Sequence, residues 1–134
     1  MFLLDTDTLS SLLKRRPSQH LVKRLALVPP ERQFTSAITC GELVYGARRL
    51  GEHGNALAAR IESLLASNLT VLSFDRAAAT RYGETRTLLE QAGTPIGHLD
   101  LMIASIALAH GLTVVTGNTR HFRKVPALGV ENWL

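Results

Sequence analysis

The chain of 134 residues is 46% hydrophobic and 19% charged, which is typical of a globular protein and indicates a single domain over residues 1–134. Its formal net charge of +4 favours a polyanionic partner such as RNA, because lysine and arginine neutralise phosphates. One cysteine, Cys40, excludes an intrachain disulfide, and no apolar run approaches the roughly 20 residues of a membrane span. Since Met1 is not followed by a basic and then apolar leader, we expect a cytoplasmic protein that does not enter a membrane.

Predicted strands and helices alternate along the chain. Short apolar runs predict strands, whereas capping residues followed by apolar residues at helical spacing predict helices. The predicted strands cover residues 2–4, 34–38, 69–74, 113–116 and 130–133. The predicted helices begin after Asp5, at Ser18, at Thr39, at Asn55, at Asp75 and at Asp100. Apolar strands separated by helices indicate a parallel sheet covered on both faces. The expected fold class is therefore α/β, a three-layer α/β/α sandwich with a short central parallel sheet.

Three acids and one asparagine fall where such folds bind ligands. Asp5 directly follows the first strand, and Glu42 lies in the first predicted turn of the helix after the second strand. Asp100 opens the helix before the fourth strand, and Asn118 follows that strand. Parallel strands place their carboxyl ends at one edge of the sheet, where ligands bind. We therefore expect these four side chains to meet at that edge.

Each acid also has a purely structural interpretation, because acids and short polar residues stabilise the amino termini of helices. Residues 39–42 fit a capping box, so Glu42 taken alone could be a capping partner. Asp75 is interpreted as a cap, and Asp7 as either a cap or a site residue. Asp100 is harder to explain in this way. Residues 101–109 after it are apolar except for Ser105, which predicts a buried helix with a partly desolvated acid at its start.

A metal ion is the expected counter-ion for these acids. Clustering Asp5, Glu42 and Asp100 would raise their pKa values unless a cation neutralised them. Carboxylates suit Mg²⁺, with Mn²⁺ as a substitute, and the sequence has no Cys/His pattern typical of zinc sites. We predict Asp5 and Asp100 as metal ligands and Glu42 as the third catalytic acid. Such a site would hydrolyse phosphodiesters with an activated water and no covalent protein nucleophile. His98 and His121 lie near the predicted site, and either could touch a substrate.

Four sequence blocks in order resemble the PIN-domain ribonucleases, especially the VapC and FitB toxins of bacterial toxin–antitoxin pairs. The blocks are Leu3-Leu4-Asp5-Thr6-Asp7, residues 38–47 around Glu42, residues 93–100 ending in Asp100, and residues 115–122. Residues 130–133 resemble the usual end of the family. The resemblance covers nearly the whole chain and implies a PIN-like fold, a ribonuclease toxin, and Asp5, Glu42 and Asp100 as its catalytic acids.

The chain departs from the family in the last block, where many members carry a fourth acid. Asn118 and His121 occupy the two positions at which that acid occurs, so we predict that the site binds one metal firmly. Asn118 could hold a metal-bound water or a phosphate oxygen. The residues predicted to support the acids or to contact the substrate are Thr6, Asp7, Thr116, Asn118 and Arg120.

The resemblance also implies partners. It implies a homodimer, an antitoxin whose tail occupies the active-site groove, and contact with DNA only through that antitoxin. Residues 93–95 and 118–120 are similar to blocks of relatives that cut initiator tRNA in the anticodon loop. The basic residues predicted to guide RNA are Arg15, Arg16, Arg48, Arg49, Arg120, Arg123 and Lys124.

Two other functions fit part of the pattern. Asp5-Thr6-Asp7-Thr8 after an apolar strand imitates the opening of haloacid-dehalogenase phosphohydrolases, although Leu9 stands where that motif has Thr or Val. The other alternative is a basic module that binds RNA or an antitoxin without cutting, its acids serving only as helix caps. RNA cleavage that depends on Asp5, Glu42 and Asp100 would separate the ribonuclease from both.

Overall fold

Five short strands and seven α-helices alternate along the chain in this computed structural model, which describes residues 1–134. The strands are β1 (Phe2–Leu4), β2 (Gln33–Ser36), β3 (Thr70–Leu72), β4 (Thr113–Val115) and β5 (Val130–Glu131). The helices are α1 (Thr6–Leu12), α2 (Gln19–Ala26), α3 (Ala37–Arg48), α4 (Asn55–Leu65), α5 (Arg76–Gln91), α6 (His98–His110) and α7 (Thr119–Phe122). None of the helices combines the length and the apolar character that crossing a bilayer requires.

All five strands pair in parallel, in the order β3-β2-β1-β4-β5. The first strand is therefore central, and its residue Leu3 lies opposite Phe34 of β2 and Val114 of β4. Because the strands are parallel, the carboxyl ends of β1, β2 and β4 lie at the same edge of the sheet. This arrangement brings together residues that follow the first, second and fourth strands.

The two faces of the sheet support separate hydrophobic cores, because successive strand residues point to opposite faces. Leu3 and Val114 belong to a core that they share with α5 and α6, and residues 103–107 of α6 are almost entirely inaccessible to solvent. Leu4 and Val115 belong to the second core, which contains buried residues of α1, α2, α3 and α4. The predicted three-layer α/β/α sandwich and the buried sixth helix are both confirmed.

The predicted start of α3 is wrong by two residues. The helix begins at Ala37, and the hydroxyl oxygen of Ser36 caps it by accepting a hydrogen bond from the backbone N–H of Thr39 at 3.0 Å. Ala37 and Ile38 belong to this helix and not to the second strand, since a short apolar run does not distinguish a strand from the first turn of a helix. The caps at Ser18 and Asp75 are confirmed by hydrogen bonds from Leu21 and Ala78.

Two further differences concern the carboxyl-terminal half. Helix α6 begins at His98, directly after Gly97, so Asp100 lies in its first turn rather than at its first position. Helix α7 was not predicted, because its four residues form a single turn in which no periodicity can be seen. Gly111 ends α6 in the left-handed conformation at φ 66°, which glycine adopts without strain.

Candidate active site

Asp5 lies immediately after β1, and only 4% of its surface is exposed. Its Oδ2 accepts a hydrogen bond of 2.8 Å from the hydroxyl of Thr116, the residue that follows β4. Its Oδ1 is buried without any hydrogen-bond partner. Burial raises the pKa of the Asp5 carboxyl to about 6, and the negative charges of Asp7 and Asp100 contribute in the same direction. Asp5 therefore presents one unsatisfied oxygen on a carboxyl whose charged form is disfavoured mainly by burial.

Asp7 ties the first turn of α1 to the end of β4. Its Oδ2 accepts a hydrogen bond of 2.9 Å from the backbone N–H of Gly117, and its Oδ1 lies 3.3 Å from the Thr116 hydroxyl. The interpretation of Asp7 as a helix cap is wrong, because these contacts lie across the sheet edge and not within α1. Asp7 instead fixes the Thr116 segment, which in turn holds Asp5.

Glu42 is held by a chain of hydroxyl groups. The Thr6 hydroxyl donates a hydrogen bond of 2.7 Å to Glu42 Oε1 and lies 3.1 Å from the Thr39 hydroxyl, which contacts Ser36 at 3.2 Å. Thr39 does not cap α3, since Ser36 does so, and the capping-box interpretation of Glu42 is therefore wrong. The sequence placed Glu42 in the first turn, whereas it lies in the second turn of α3 with its carboxylate tied to α1.

Asp100 contacts two residues of the last sequence block. Its Oδ2 lies 3.3 Å from the side-chain nitrogen of Asn118 and 3.3 Å from Nδ1 of His121. Asn118 and His121 are also 3.0 Å apart, so the three side chains form one cluster. The side chain of Asp100 is 26% exposed and that of His121 45% exposed. Asn118 thus donates a hydrogen bond to Asp100, and His121 places an imidazole nitrogen beside the same carboxylate oxygen.

The three predicted acids line one cleft of about 410 Å³ at the carboxyl edge of the sheet. The lining is entirely polar and consists of Asp5, Thr6, Asp7, Ser10, Ser11, Lys14, Glu42, Asp100 and Asn118. The structure thus brings together acids that are far apart in the sequence. Asp5 and Glu42 are 37 positions apart, and Glu42 and Asp100 are 58 positions apart. Thr116 lies directly behind the cleft, fully buried.

Some residues of the cleft were missed from the sequence. Ser10, Ser11 and Lys14 line it, and with Asp7 they recur at positions i, i+3, i+4 and i+7. That spacing describes one polar face of a helix and could have identified them. The sequence analysis extended the site only to Thr6 and Asp7 at the start of this helix.

Three predicted contacts lie outside the lining of the cleft. His98 is hydrogen-bonded through Nδ1 to the Tyr82 hydroxyl at 2.8 Å, on the side where α5 packs against α6. Arg120 is exposed and does not line the cleft, and His121 reaches it only through Asp100 and Asn118. Of the basic residues predicted to guide RNA, only Arg49 lines a cavity, and that cavity is a neighbouring one.

The donor set of the cleft fits a hard divalent cation. Asp5 Oδ1 has no hydrogen-bond partner, and the charged side chains of the cleft are all carboxylates apart from Lys14. No three His, Cys, Asp or Glu side chains lie close enough together to hold one ion. A site with one or two protein carboxylates and several waters is the arrangement that Mg²⁺ prefers.

Comparison with known proteins gives consistent results over the whole chain. The family model described as PIN domain matches residues 2–128. The chain is 39% identical to the tRNA(fMet)-specific endonuclease VapC of Salmonella typhimurium, over 98% of this chain and 97% of that protein. The crystal structure of DNA-bound VapBC from Salmonella typhimurium has a TM-score of 0.90 at 38% identity, covering 99% and 98% of the two chains. The FitAcB structure from Neisseria gonorrhoeae has a TM-score of 0.89 at 33% identity, covering 98% and 97%.

Proposed function

Since this chain belongs to the PIN-domain family and is a VapC-type ribonuclease, we propose that it is the Mg²⁺-dependent toxin of a type II toxin–antitoxin pair, with Asp5, Glu42 and Asp100 as its catalytic carboxylates. PIN-domain ribonucleases are generally metal-dependent. The observation that carries the assignment is Asp5 Oδ1, a buried oxygen without a partner on a residue that lines an entirely polar cleft. Such an oxygen is costly to bury unless a cation binds it.

Asp5 and Asp100 are the residues that would hold the cation. When bound, a divalent cation supplies polarisation of the scissile phosphate and lowers the pKa of an attacking water. The hydrogen bond from Thr116 to Oδ2 fixes the orientation of Asp5, a residue that lines the cleft. Asn118 and His121, the side chains beside Asp100, add no negative charge to the site, which supports a single firmly bound cation. Mn²⁺ is expected to substitute, because it also takes oxygen ligands.

Glu42 is assigned the role of orienting the attacking water and accepting its proton at Oε2. Its other oxygen is occupied by the Thr6 hydroxyl, which limits the orientations available to the carboxylate. A group held in this way costs little reorganisation when the reaction occurs. The phosphomonoesterase alternative is not supported, because both oxygens of Asp7 accept hydrogen bonds from the residues that follow β4.

The substrate we propose is structured RNA, with the anticodon loop of initiator tRNA as the first candidate. A relative with 39% identity is named as a tRNA(fMet)-specific endonuclease, and the match extends over 98% of this chain. A single-stranded loop suits an open cleft, because its backbone can reach a recessed carboxylate without opening a duplex.

The partner we propose is a small antitoxin of the VapB type, because the solved relatives with TM-scores of 0.90 and 0.89 are VapBC and FitAcB assemblies. Contact with DNA is expected only through that antitoxin. We further propose a homodimer that acts in the cytoplasm, where its RNA substrate is found.

The test is cleavage of purified initiator tRNA, with the new RNA ends mapped, in Mg²⁺ and in EDTA. We expect cleavage in Mg²⁺, its loss in EDTA, and a fall of at least about 1,000-fold in kcat/KM for Asp100→Asn. Asp75→Asn is the matched control, because it also removes one aspartate charge but lies at the cap of α5, where asparagine still caps. Cleavage that persists in Asp100→Asn or in EDTA would overturn the assignment.

A further inference from the structure

A second cavity of about 270 Å³ adjoins the carboxylate cleft between α1, α3 and α4. The two cavities share the side chains of Ser10, Lys14 and Glu42, so they form one continuous surface. Arg60 of α4 lines the second cavity together with Lys14. The substrate therefore has a direct path from the catalytic acids to a pair of positive charges.

Neither basic side chain of this second cavity forms an ion pair within the protein. The ion pairs of the structure join Arg24 to Glu131, Arg86 to Glu90 and His121 to Asp100. Lys14 and Arg60 take part in none of them, although Glu42 lines the same cavity. Both are exposed, so an external anion can reach them.

The catalytic cleft itself repels RNA. Four of its nine lining residues, Asp5, Asp7, Glu42 and Asp100, are acids, and Lys14 is its only basic residue. An approaching phosphodiester backbone must be held by positive charge close to this cleft, and a single divalent cation offsets only part of the repulsion. Lys14 and Arg60 supply such positive charge in the cavity that adjoins the cleft.

The floor of the second cavity is apolar and is formed by Leu13, Leu43, Leu57 and Ile61. An apolar floor beneath two cations matches a nucleotide, whose ribose and base have apolar faces while its phosphate is charged. Resting on the function proposed above, we infer that Lys14 and Arg60 bind the phosphate of the nucleotide next to the scissile bond, with its sugar or base on this floor.

Lys14 and Arg60 differ from the basic residues that stand out in the sequence. Arg15 and Arg16 follow Lys14 in the chain, but they line neither cavity. Arg48 also lines neither, whereas Arg60, which the sequence did not single out, does. Which basic side chains face the site thus depends on their position in the fold and not on how densely charges follow one another in the sequence.

The first test measures binding without cleavage. The probe is the fluorescently labelled anticodon stem–loop of initiator tRNA, titrated with protein carrying Asp100→Asn at several NaCl concentrations. Lys14→Gln and Arg60→Gln should each weaken binding about fivefold and lower the slope of log affinity against log salt by about 0.7–0.9, the value for one lost phosphate contact.

Matched controls remove the same charge elsewhere. Lys23→Gln on α2 and Arg81→Gln on α5 change residues that are exposed, unpaired and absent from both cavities. We expect the salt slope and the affinity of both controls to equal those of the parent. If all four variants behave alike, net charge and not a subsite guides the RNA, and the inference is wrong.

A second test uses the active protein. Lys14→Gln and Arg60→Gln should lower kcat/KM for the same RNA about fivefold, while the controls keep the wild-type value. Variants that bind and cut RNA normally but no longer bind the antitoxin would assign the cavity to that protein and overturn the RNA subsite. If the wild type cuts no RNA while the binding difference persists, the proposed enzyme fails and the phosphate subsite stands.

Discussion

Asp5 and Asp100 line the same cleft but lie in very different surroundings. Asp5 is 4% exposed, is held by a buried hydroxyl, and follows the central strand of the sheet. The Asp100 side chain is 26% exposed and contacts Asn118 and the half-exposed His121. The comparison shows that one proposed metal ligand is part of the protein interior, whereas the other belongs to the surface. Substitutions on the two sides should therefore differ in stability even where both abolish catalysis.

The largest difference should appear in the stability of the metal-free protein. The pKa of Asp5 is about 6 in the folded chain against an ordinary value of 3.8, so the folded state binds the proton more tightly. Stability must then fall as pH rises from about 4 to about 6, by roughly 3 kcal/mol in total. Asp5→Asn cannot ionise and should be more stable than wild type by up to that amount at pH 7.5, with no difference at pH 4.

Urea unfolding in EDTA at the two pH values checks this prediction. Asp100→Asn is the comparison variant, because it removes only one of the charges that raise the Asp5 pKa and should recover a small part of the gain. Equal pH dependence of wild type and Asp5→Asn would show that Asp5 does not carry the effect.

A smaller effect is expected at Glu42. Thr6→Val removes the hydroxyl that donates to Glu42 at 2.7 Å, so the carboxylate loses its fixed orientation. We expect kcat to fall about 10- to 100-fold with little change in KM, as is usual when the partner of a catalytic or metal-binding group is lost. Thr6→Ser keeps the hydroxyl and should restore kcat. A parallel rise in KM would assign Thr6 to substrate binding instead.

The smallest effect is expected on the exposed side of the cleft. His121→Ala removes a contact of 3.3 Å to Asp100 that is open to solvent, and exposed pairs of this kind contribute little. Cleavage should fall by no more than about fivefold, and thermal stability should be unchanged. His110→Ala, at the far end of α6, is the control. A loss as large as that of Asp100→Asn would place His121 in the catalytic machinery.

The parts of the site that were predictable from sequence are those set by strand order. Asp5, Asp100 and Asn118 each adjoin a strand or a buried helix, and parallel topology alone then brings them to one edge. The sequence also predicts Glu42 at that edge, but it does not predict the contacts of Glu42. The residue that caps α3 is Ser36, and the side chain that contacts Glu42 is Thr6. Both contacts join side chains whose orientation only the packed structure determines.

The basic side chains that line the second cavity were the least predictable feature of the site. Pairs such as Arg15 and Arg16 stand out in the sequence, yet only the packing of α4 beside α3 brings Arg60 next to Lys14. Helix α7 was also invisible, since one turn carries no periodic signal. Long-range packing thus decides which of many similar surface charges faces the substrate.

The hydrogen bond between Asp5 and Thr116 joins positions separated by 111 residues of a 134-residue chain. Closing a loop of that length costs entropy, and this cost is offset only by the contacts of the completed sheet. The hydrogen bond therefore forms late in folding. A chain still emerging from the ribosome has released β1 and Asp5 long before it has released β4. During its own synthesis the protein therefore carries an incomplete active site, and it can cleave RNA only after β4 has been made and has paired with β1.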